Sequence, residues 1–284
     1  MRREETLRAE VVEIGRRLWQ RGYVASNDGN ISVRLDEHRL LATPRGVSKG
    51  FMTPDMMVVT DLAGKRLAGE REPSSELKMH LAVYEMRGDV QAIVHAHPPL
   101  ATGFAVAGIP LDRAVLAEVI TTLGSIPIAD YATPSTAELA AAVRKYVTVH
   151  DALLPANHGA MTCAGDLMGA YYKMETVEHF AQISLTARLL GGERLLARDE
   201  VLRLQGLRGS YGIASPSRIC IDAAGTAGVT GDATCQAVRA PEAPAPGVRL
   251  VSDGLSQQVS GDEEIRLTYR ELVALIEDAV RSVK

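Results

Sequence analysis

Two histidines one residue apart, His95-Ala96-His97, close an apolar run that reads as a strand. Side chains two apart in a strand share a face. Two imidazoles on one face can grip a single metal ion, and a third ligand fixes its geometry. The same pair also fits two polar residues where a strand surfaces into the Pro98-Pro99 loop, and the motif by itself does not choose between these. His158, in Asn157-His158-Gly159, is a third candidate ligand, because it falls in a turn after the apolar Leu153-Leu154-Pro155-Ala156. His38, His80, His150 and His179 read as surface or packing residues. Glu175 and His179 stand four apart on one helix, where a simple side-chain pair is the favoured reading.

Glu76 is the best acid/base candidate. It belongs to Pro73-Ser74-Ser75-Glu76, which opens a helix, and its expected place is the first turn. A glutamate there also stabilises the helix dipole without doing chemistry. Ser74 or Ser75 could cap the helix. With the exposed N–H groups of the same helix start, the two hydroxyls could instead form an anion site suited to a phosphorylated substrate. Gly29-Asn30 and Thr43-Pro44-Arg45-Gly46 are tight turns with donors, and Arg45 adds a cation that could meet phosphate. Tyr131, in Asp130-Tyr131-Ala132-Thr133-Pro134, could donate a proton or simply pack.

These residues need elements to hold them. Leu7, Val11, Ile14 and Leu18 recur at helical spacing, and Gly22 supplies a stop. Alternation at Ile31, Val33 and Leu35 predicts a strand, Leu40-Leu41 a second, and Met56 to Asp61 a third. A helix runs from the Pro73 segment to near Gly88, and Val90 to His97 is a buried-type strand. Helices follow at 100–107 and 112–122, then a strand around Ile126 to Ala129. Thr136 to Val147 is an Ala-rich helix, residues 152–163 are two strand pieces around a Gly turn, and a long helix covers about 166–190. Short turns between the early strands favour antiparallel pairing. The expected fold is α/β, in three layers (α/β/α), with a central, mainly antiparallel sheet.

Composition bounds the rest. The chain has 284 residues, 46% apolar and 23% charged, as expected for a soluble globular protein. Net charge is −4, which gives no electrostatic case for nucleic acid or an anionic membrane as partner. No apolar run approaches the roughly 18 residues of a membrane span. The charged start MRREETLRAEVVEIG does not read as a secretory signal. Cys163, Cys220 and Cys235 form no C-x-x-C pair, which suits reduced thiols and a cytoplasmic location.

Taken in chain order, six motifs resemble the class II aldolase/adducin superfamily over about residues 5–195. They are Gly29-Asn30-Ile31-Ser32, Thr43-Pro44-Arg45-Gly46, Pro73-Ser74-Ser75-Glu76, His95-Ala96-His97, Tyr131-Ala132-Thr133 and Asn157-His158-Gly159. Any one is weak; the ordered set is specific. The resemblance implies a homotetramer with active sites between subunits. It implies that His95, His97 and His158 bind Zn²⁺ or another divalent cation such as Mn²⁺ or Co²⁺. It implies that Glu76 is the acid/base, that Asn30, Thr43, Arg45, Gly46, Ser74 and Ser75 hold a substrate phosphate, and that Tyr131 reaches a neighbouring subunit's site as proton donor. The implied reaction is retro-aldol cleavage of a ketose 1-phosphate, of the L-fuculose 1-phosphate type, to dihydroxyacetone phosphate and a short aldehyde such as lactaldehyde. The superfamily also holds methylthioribulose-phosphate dehydratases, oxo-tetronate-phosphate decarboxylases, ribulose-phosphate epimerases and non-catalytic adducin-like scaffolds. Glu76 and the complete histidine set favour a lyase, because the epimerases tend to carry Asp at the first position and the adducin heads lack the metal set. Arg45 departs from the Ser or Thr common in the aldolases.

This places the catalytic domain at 1–205, a Gly/Ala/Pro-rich linker at 206–262 and an amphipathic helix at 263–284. Thr268 and Glu271 form a capping box there, with Leu267 and Leu272 as the staple. One reading packs this helix on its own domain or on a neighbour. The other is partner recognition, since the arrangement resembles encapsulation peptides that bind the shell proteins of bacterial microcompartments.

Overall fold

A computed structural model describes residues 2–213 and Ile219. The first helix, α1 (Arg2–Gln20), buries Val11, Ile14 and Leu18 as one stripe, as their spacing predicts. Four strands follow: β1 (Asn30–Arg34), β2 (Arg39–Ala42), β3 (Val58–Asp61) and β4 (Arg66–Ala68). Next come α2 (Leu77–Met86), β5 (Ala92–Ala96), α3 (Pro99–Ala107), α4 (Ala117–Thr122) and β6 (Ile128–Ala129). The described residues close with α5 (Ala137–Arg144), β7 (Ala152–Pro155), β8 (Ala160–Ala164), α6 (Leu167–Leu189) and α7 (Arg198–Leu207).

The eight strands form one sheet in the order β4-β3-β2-β1-β5-β8-β7-β6. Every pairing is antiparallel except β6 with β7. Alternation along β5 sends Ala92, Val94 and Ala96 into a core built with α1, α3 and α6. Ile93, between them, joins Met79, Val83 and Val143 in a second core under α2 and α5. The sheet is therefore covered on both faces, and the fold is α/β in three layers. Because β5 is buried on both sides, it reads as a continuous apolar run, and full burial of each Val or Ile contributes roughly 1.5–3 kcal/mol.

Register brings the sequence motifs to one end of the sheet. Asn30 pairs with His95 across β1 and β5, and His95 pairs with Met161 across β5 and β8. The ends of β5 and β1 and the β7–β8 turn thus meet. Gly29 has φ +72°, and a Cβ there would lie 2.8 Å from the His95 carbonyl oxygen. A Cβ on Gly159 would lie 2.6 Å from both the Ala96 carbonyl oxygen and His97 Cδ2. Glycine at both places lets two turns close tightly on the histidine strand.

Several boundaries differ from the sequence expectation. The third strand starts at Val58, because Pro54–Met56 is a 3-10 turn; Pro fixes φ and removes a donor there. Neither Ser74 nor Ser75 caps α2. Glu76 itself is the N-cap, one position before the helix, and its side chain makes no cap hydrogen bond. The expected Glu175–His179 pair does not form; the Glu175 carboxylate instead meets Arg21, just past the end of α1, at 2.9 Å. The linker (206–262) and terminal helix (263–284) lie outside the described residues, apart from 206–213 and Ile219. Cys163 is buried and free, and Cys220 and Cys235 also lie outside the described residues. Among the described residues no helix is long and apolar enough to cross a membrane.

Candidate metal centre and active site

His95 sits at the penultimate position of β5 and is fully buried. His97 lies just past the strand, where its backbone N–H donates to the Tyr23 carbonyl at 2.8 Å. His158 is held in the β7–β8 turn, whose residue Asn157 takes a left-handed φ of 55°. The three imidazoles meet edge to face, with ring centroids 4.8 to 5.1 Å apart. One nitrogen from each lies within 4.8 Å of the others.

The donor chemistry fits a divalent ion. His95 Nδ1–H donates to the Ala160 carbonyl at 2.9 Å, and His97 Nδ1–H donates to Asp28 Oδ2 at 3.3 Å. Both hydrogens are thereby assigned to Nδ1, which leaves the two Nε2 lone pairs facing each other at 3.3 Å. Two facing lone pairs repel unless a cation lies between them. Tetrahedral zinc, with bonds of about 2.0–2.1 Å, separates its donor atoms by about 3.4 Å. Burial pushes His97 down to about 4, which favours the neutral imidazole that a ligand must present.

Glu76 closes the cluster. Its Oε1 lies 3.1 Å from His158 Nε2 and its Oε2 lies 3.4 Å from His95 Nε2. Asn30 Nδ2 donates to Oε2 at 2.9 Å. Burial alone would raise this carboxyl. Its contacts with His158 and His95 outweigh burial and hold it well below the usual carboxylate range. Asn30 Oδ1 is buried without a partner, an acceptor facing a site that could take a ligand hydroxyl.

The remaining sequence candidates surround this centre unevenly. Thr43 is buried, and its Oγ1 accepts from the Ile31 N–H at 3.1 Å, tying β1 to the 43–46 loop. The Thr43 carbonyl accepts from the Ser74 N–H at 3.1 Å, so that loop and the α2 start are laced together. Ser74 Oγ accepts from the Glu76 N–H at 3.4 Å. Arg45, Gly46 and Ser75 are exposed beside them. Tyr131 is 64% exposed and points away from its own core. Its loop still reaches this rim, because Ser135 Oγ donates to Ser75 Oγ at 2.9 Å. Two groups escaped sequence reasoning. Asp28 looked like one more turn residue, and Lys49 like a loop cation; only the fold shows the first beside His97 and the second buried under the turns.

Comparison with known proteins agrees with this picture. The profile of the Class II Aldolase and Adducin N-terminal domain matches residues 9–185. The chain is 31% identical over 207 residues to a 3-oxo-tetronate 4-phosphate decarboxylase of Pectobacterium atrosepticum, covering 71% of this chain and 93% of that protein. It is 34% identical over 207 residues to a 5-deoxy-D-ribulose 1-phosphate aldolase of Bacillus thuringiensis serovar kurstaki, covering 72% and 96%. A solved L-fuculose 1-phosphate aldolase superposes with a TM-score of 0.66 at 32% identity, covering 70% of this chain and 94% of that one. With the profile spanning more than half of its length, the chain belongs to the class II aldolase and adducin family, as one of its lyase enzymes.

Proposed function

We propose that the chain is a divalent-metal-dependent lyase that cleaves a ketose 1-phosphate to dihydroxyacetone phosphate and a short aldehyde, such as lactaldehyde from L-fuculose 1-phosphate. The observation that carries this reading is the Glu76 carboxylate set against two members of a converging histidine triad. His95, His97 and His158 would hold the ion, Zn²⁺ or another divalent cation such as Mn²⁺ or Co²⁺, and the 3.3 Å nitrogen spacing is compatible with zinc. When bound, such an ion polarises the substrate carbonyl and offsets the negative charge that develops there. Thr43, Arg45, Gly46, Ser74 and Ser75 would hold the phosphate with hydroxyls, backbone N–H groups and one guanidinium. Asn30 would orient Glu76 as well as the substrate.

The proton inventory is closed. The C4 hydroxyl loses a proton, the C3–C4 bond breaks, its electron pair flows to the carbonyl, and C3 gains a proton. Glu76 rests ionised, so it must take up a proton before giving one to C3. The C4 proton supplies it, directly or through Tyr131, which handles the aldehyde oxygen. No lysine imine is needed.

The test is a substrate panel with the metal-loaded protein: L-fuculose 1-phosphate, ribulose 5-phosphate, methylthioribulose 1-phosphate and 3-oxo-tetronate 4-phosphate. Dihydroxyacetone phosphate from the first supports this reading. Carbon dioxide from the last supports decarboxylation, the second reading, which the 31% identical relative favours. The wild-type chain should hold one divalent ion per subunit by elemental analysis, and His95→Ala should hold less than about a tenth of that. An unchanged metal content in His95→Ala would sink the ligand assignment.

The same reading makes the protein a cytoplasmic homotetramer with sites between subunits, which suits the outward-facing Tyr131. It also takes the segment beyond 262 as a recognition helix for a microcompartment shell protein. Removing residues 262–284 should leave cleavage intact and abolish co-localisation with shell; loss of activity in a correctly assembled oligomer would count against it.

A further inference from the structure

Each histidine of the triad is oriented by a different kind of group. His95 is fixed by a backbone carbonyl, and His158 Nδ1 has no partner among the described residues. Only His97 has a carboxylate at Nδ1, with Asp28 Oδ2 at 3.3 Å, whereas Glu76 meets the other two histidines at Nε2. The turn that carries Asp28 is held from three sides. The Asp28 N–H donates to the Ala25 carbonyl at 2.9 Å. Gly29 is pressed against the His95 carbonyl, where a Cβ would come within 2.8 Å. Lys49, only 2% exposed, donates from Nζ to the Asn27 carbonyl at 3.0 Å and to the Val47 carbonyl at 2.7 Å. That ammonium therefore ties the Asp28 turn to the loop carrying Thr43 to Gly46. Burial pushes Lys49 down to about 8, while the charges of Asp28 and Glu76 pull the other way.

We propose that Asp28 is a positioning residue for His97: its carboxylate fixes the Nδ1–H tautomer and ring orientation, and the buried Lys49 fixes the turn that presents it. The inference rests on reading the three histidines as the metal site. A carboxylate on the far nitrogen of a ligating histidine raises the basicity of the near one, and its loss typically weakens metal binding by about 10–100-fold. Asp28 is 43% exposed and makes no other side-chain hydrogen bond shown for the described residues, so its removal should act on His97 rather than on folding.

The experiment loads the full-length chain with Co²⁺ or Zn²⁺ and competes the ion away with a chelator. Wild type, Asp28→Ala, Asp28→Asn and Asp28→Glu are compared, with melting of each metal-free protein alongside. Asp28→Ala should raise Kd for the ion about 10–100-fold, Asp28→Asn by less, and Asp28→Glu should recover part of the loss. The metal-free melting temperatures should agree within about 2 °C. The cobalt absorption band should shift in Asp28→Ala and return toward wild type in Asp28→Glu. Equal affinity of Asp28→Ala and wild type would overturn the role, as would a loss that Asp28→Glu does not lessen and that follows metal-free melting. A wild-type chain that binds no divalent ion would overturn the metal-site reading itself, and this role with it.

Discussion

Glu76→Gln is expected to lower turnover by about 10²–10⁴-fold while leaving the divalent ion in place. The carboxylate and the carboxamide have nearly the same shape. Asn30 Nδ2, which now donates to Oε2 at 2.9 Å, can go on donating to the amide oxygen. The histidines keep their own positions, because His95 is fixed by the Ala160 carbonyl and His97 by Asp28. What disappears is the capacity to take a proton and return it. Held ionised by its contacts with the histidine cluster, Glu76 is ready to accept first, and an amide cannot. The loss should therefore fall on kcat, with KM for the sugar phosphate within a few-fold of wild type. Steady-state cleavage kinetics and metal content, measured on the same sample, decide the matter. Turnover within about five-fold of wild type would remove Glu76 from proton transfer.

The convergence of the histidines was legible in the sequence because these residues sit in short, ordered motifs. His95 and His97 stand two apart on a strand, and the antiparallel partner β8 begins just after His158, so the three meet once β5 and β8 pair. Glu76 was legible too, but its position was not. Helical periodicity starts at Leu77, and nothing local shows that the residue before it turns its carboxylate inward instead of capping the helix. Asp28 and Lys49 were hidden because a turn aspartate and a loop lysine are usually solvated. Their significance lies in contacts across 69 and 22 positions of chain. The Arg21–Glu175 pair was missed for the same reason, since it joins the residue just past α1 to the body of α6, 154 positions on. The strand β4 carried no signal, because all three of its residues are exposed and none alternates. Helix α7 buries only Val201 within its own span, so its apolar stripe is thin.

A second large effect is expected far from the metal centre. Asp151→Ala should destabilise the fold by about 3–5 kcal/mol. Asp151 begins the β7 end of the sheet with its side chain 2% exposed. Oδ1 accepts from Arg87 Nη2 at 3.0 Å and Oδ2 accepts from Lys173 Nζ at 2.6 Å. The carboxylate therefore joins the C-cap of α2 to the first part of α6. Arg87 is 8% exposed and also donates to the Val147 carbonyl at 3.0 Å. It keeps a second carboxylate, Asp89, at 2.6 Å on the same Nη2, yet that group is 62% exposed. Removing Asp151 leaves the buried Arg87 guanidinium with the exposed Asp89 as its carboxylate partner and strips Lys173 of its ion pair. Incomplete compensation of these desolvated cations, more than the lost attraction, sets the size of the effect. For a domain of this length, 3–5 kcal/mol corresponds to a melting temperature about 6–20 °C lower. The double variant Asp151→Leu, Arg87→Met should recover most of the loss, because a well-packed apolar pair carries no desolvation cost; Lys173, 20% exposed, can turn its ammonium to water. Thermal and urea unfolding of the three proteins measure this directly. A fall of less than about 2 °C in Asp151→Ala would show that Asp89 alone suffices for Arg87. A double variant no more stable than the single one would show that the pair is held for its geometry and not for its charge.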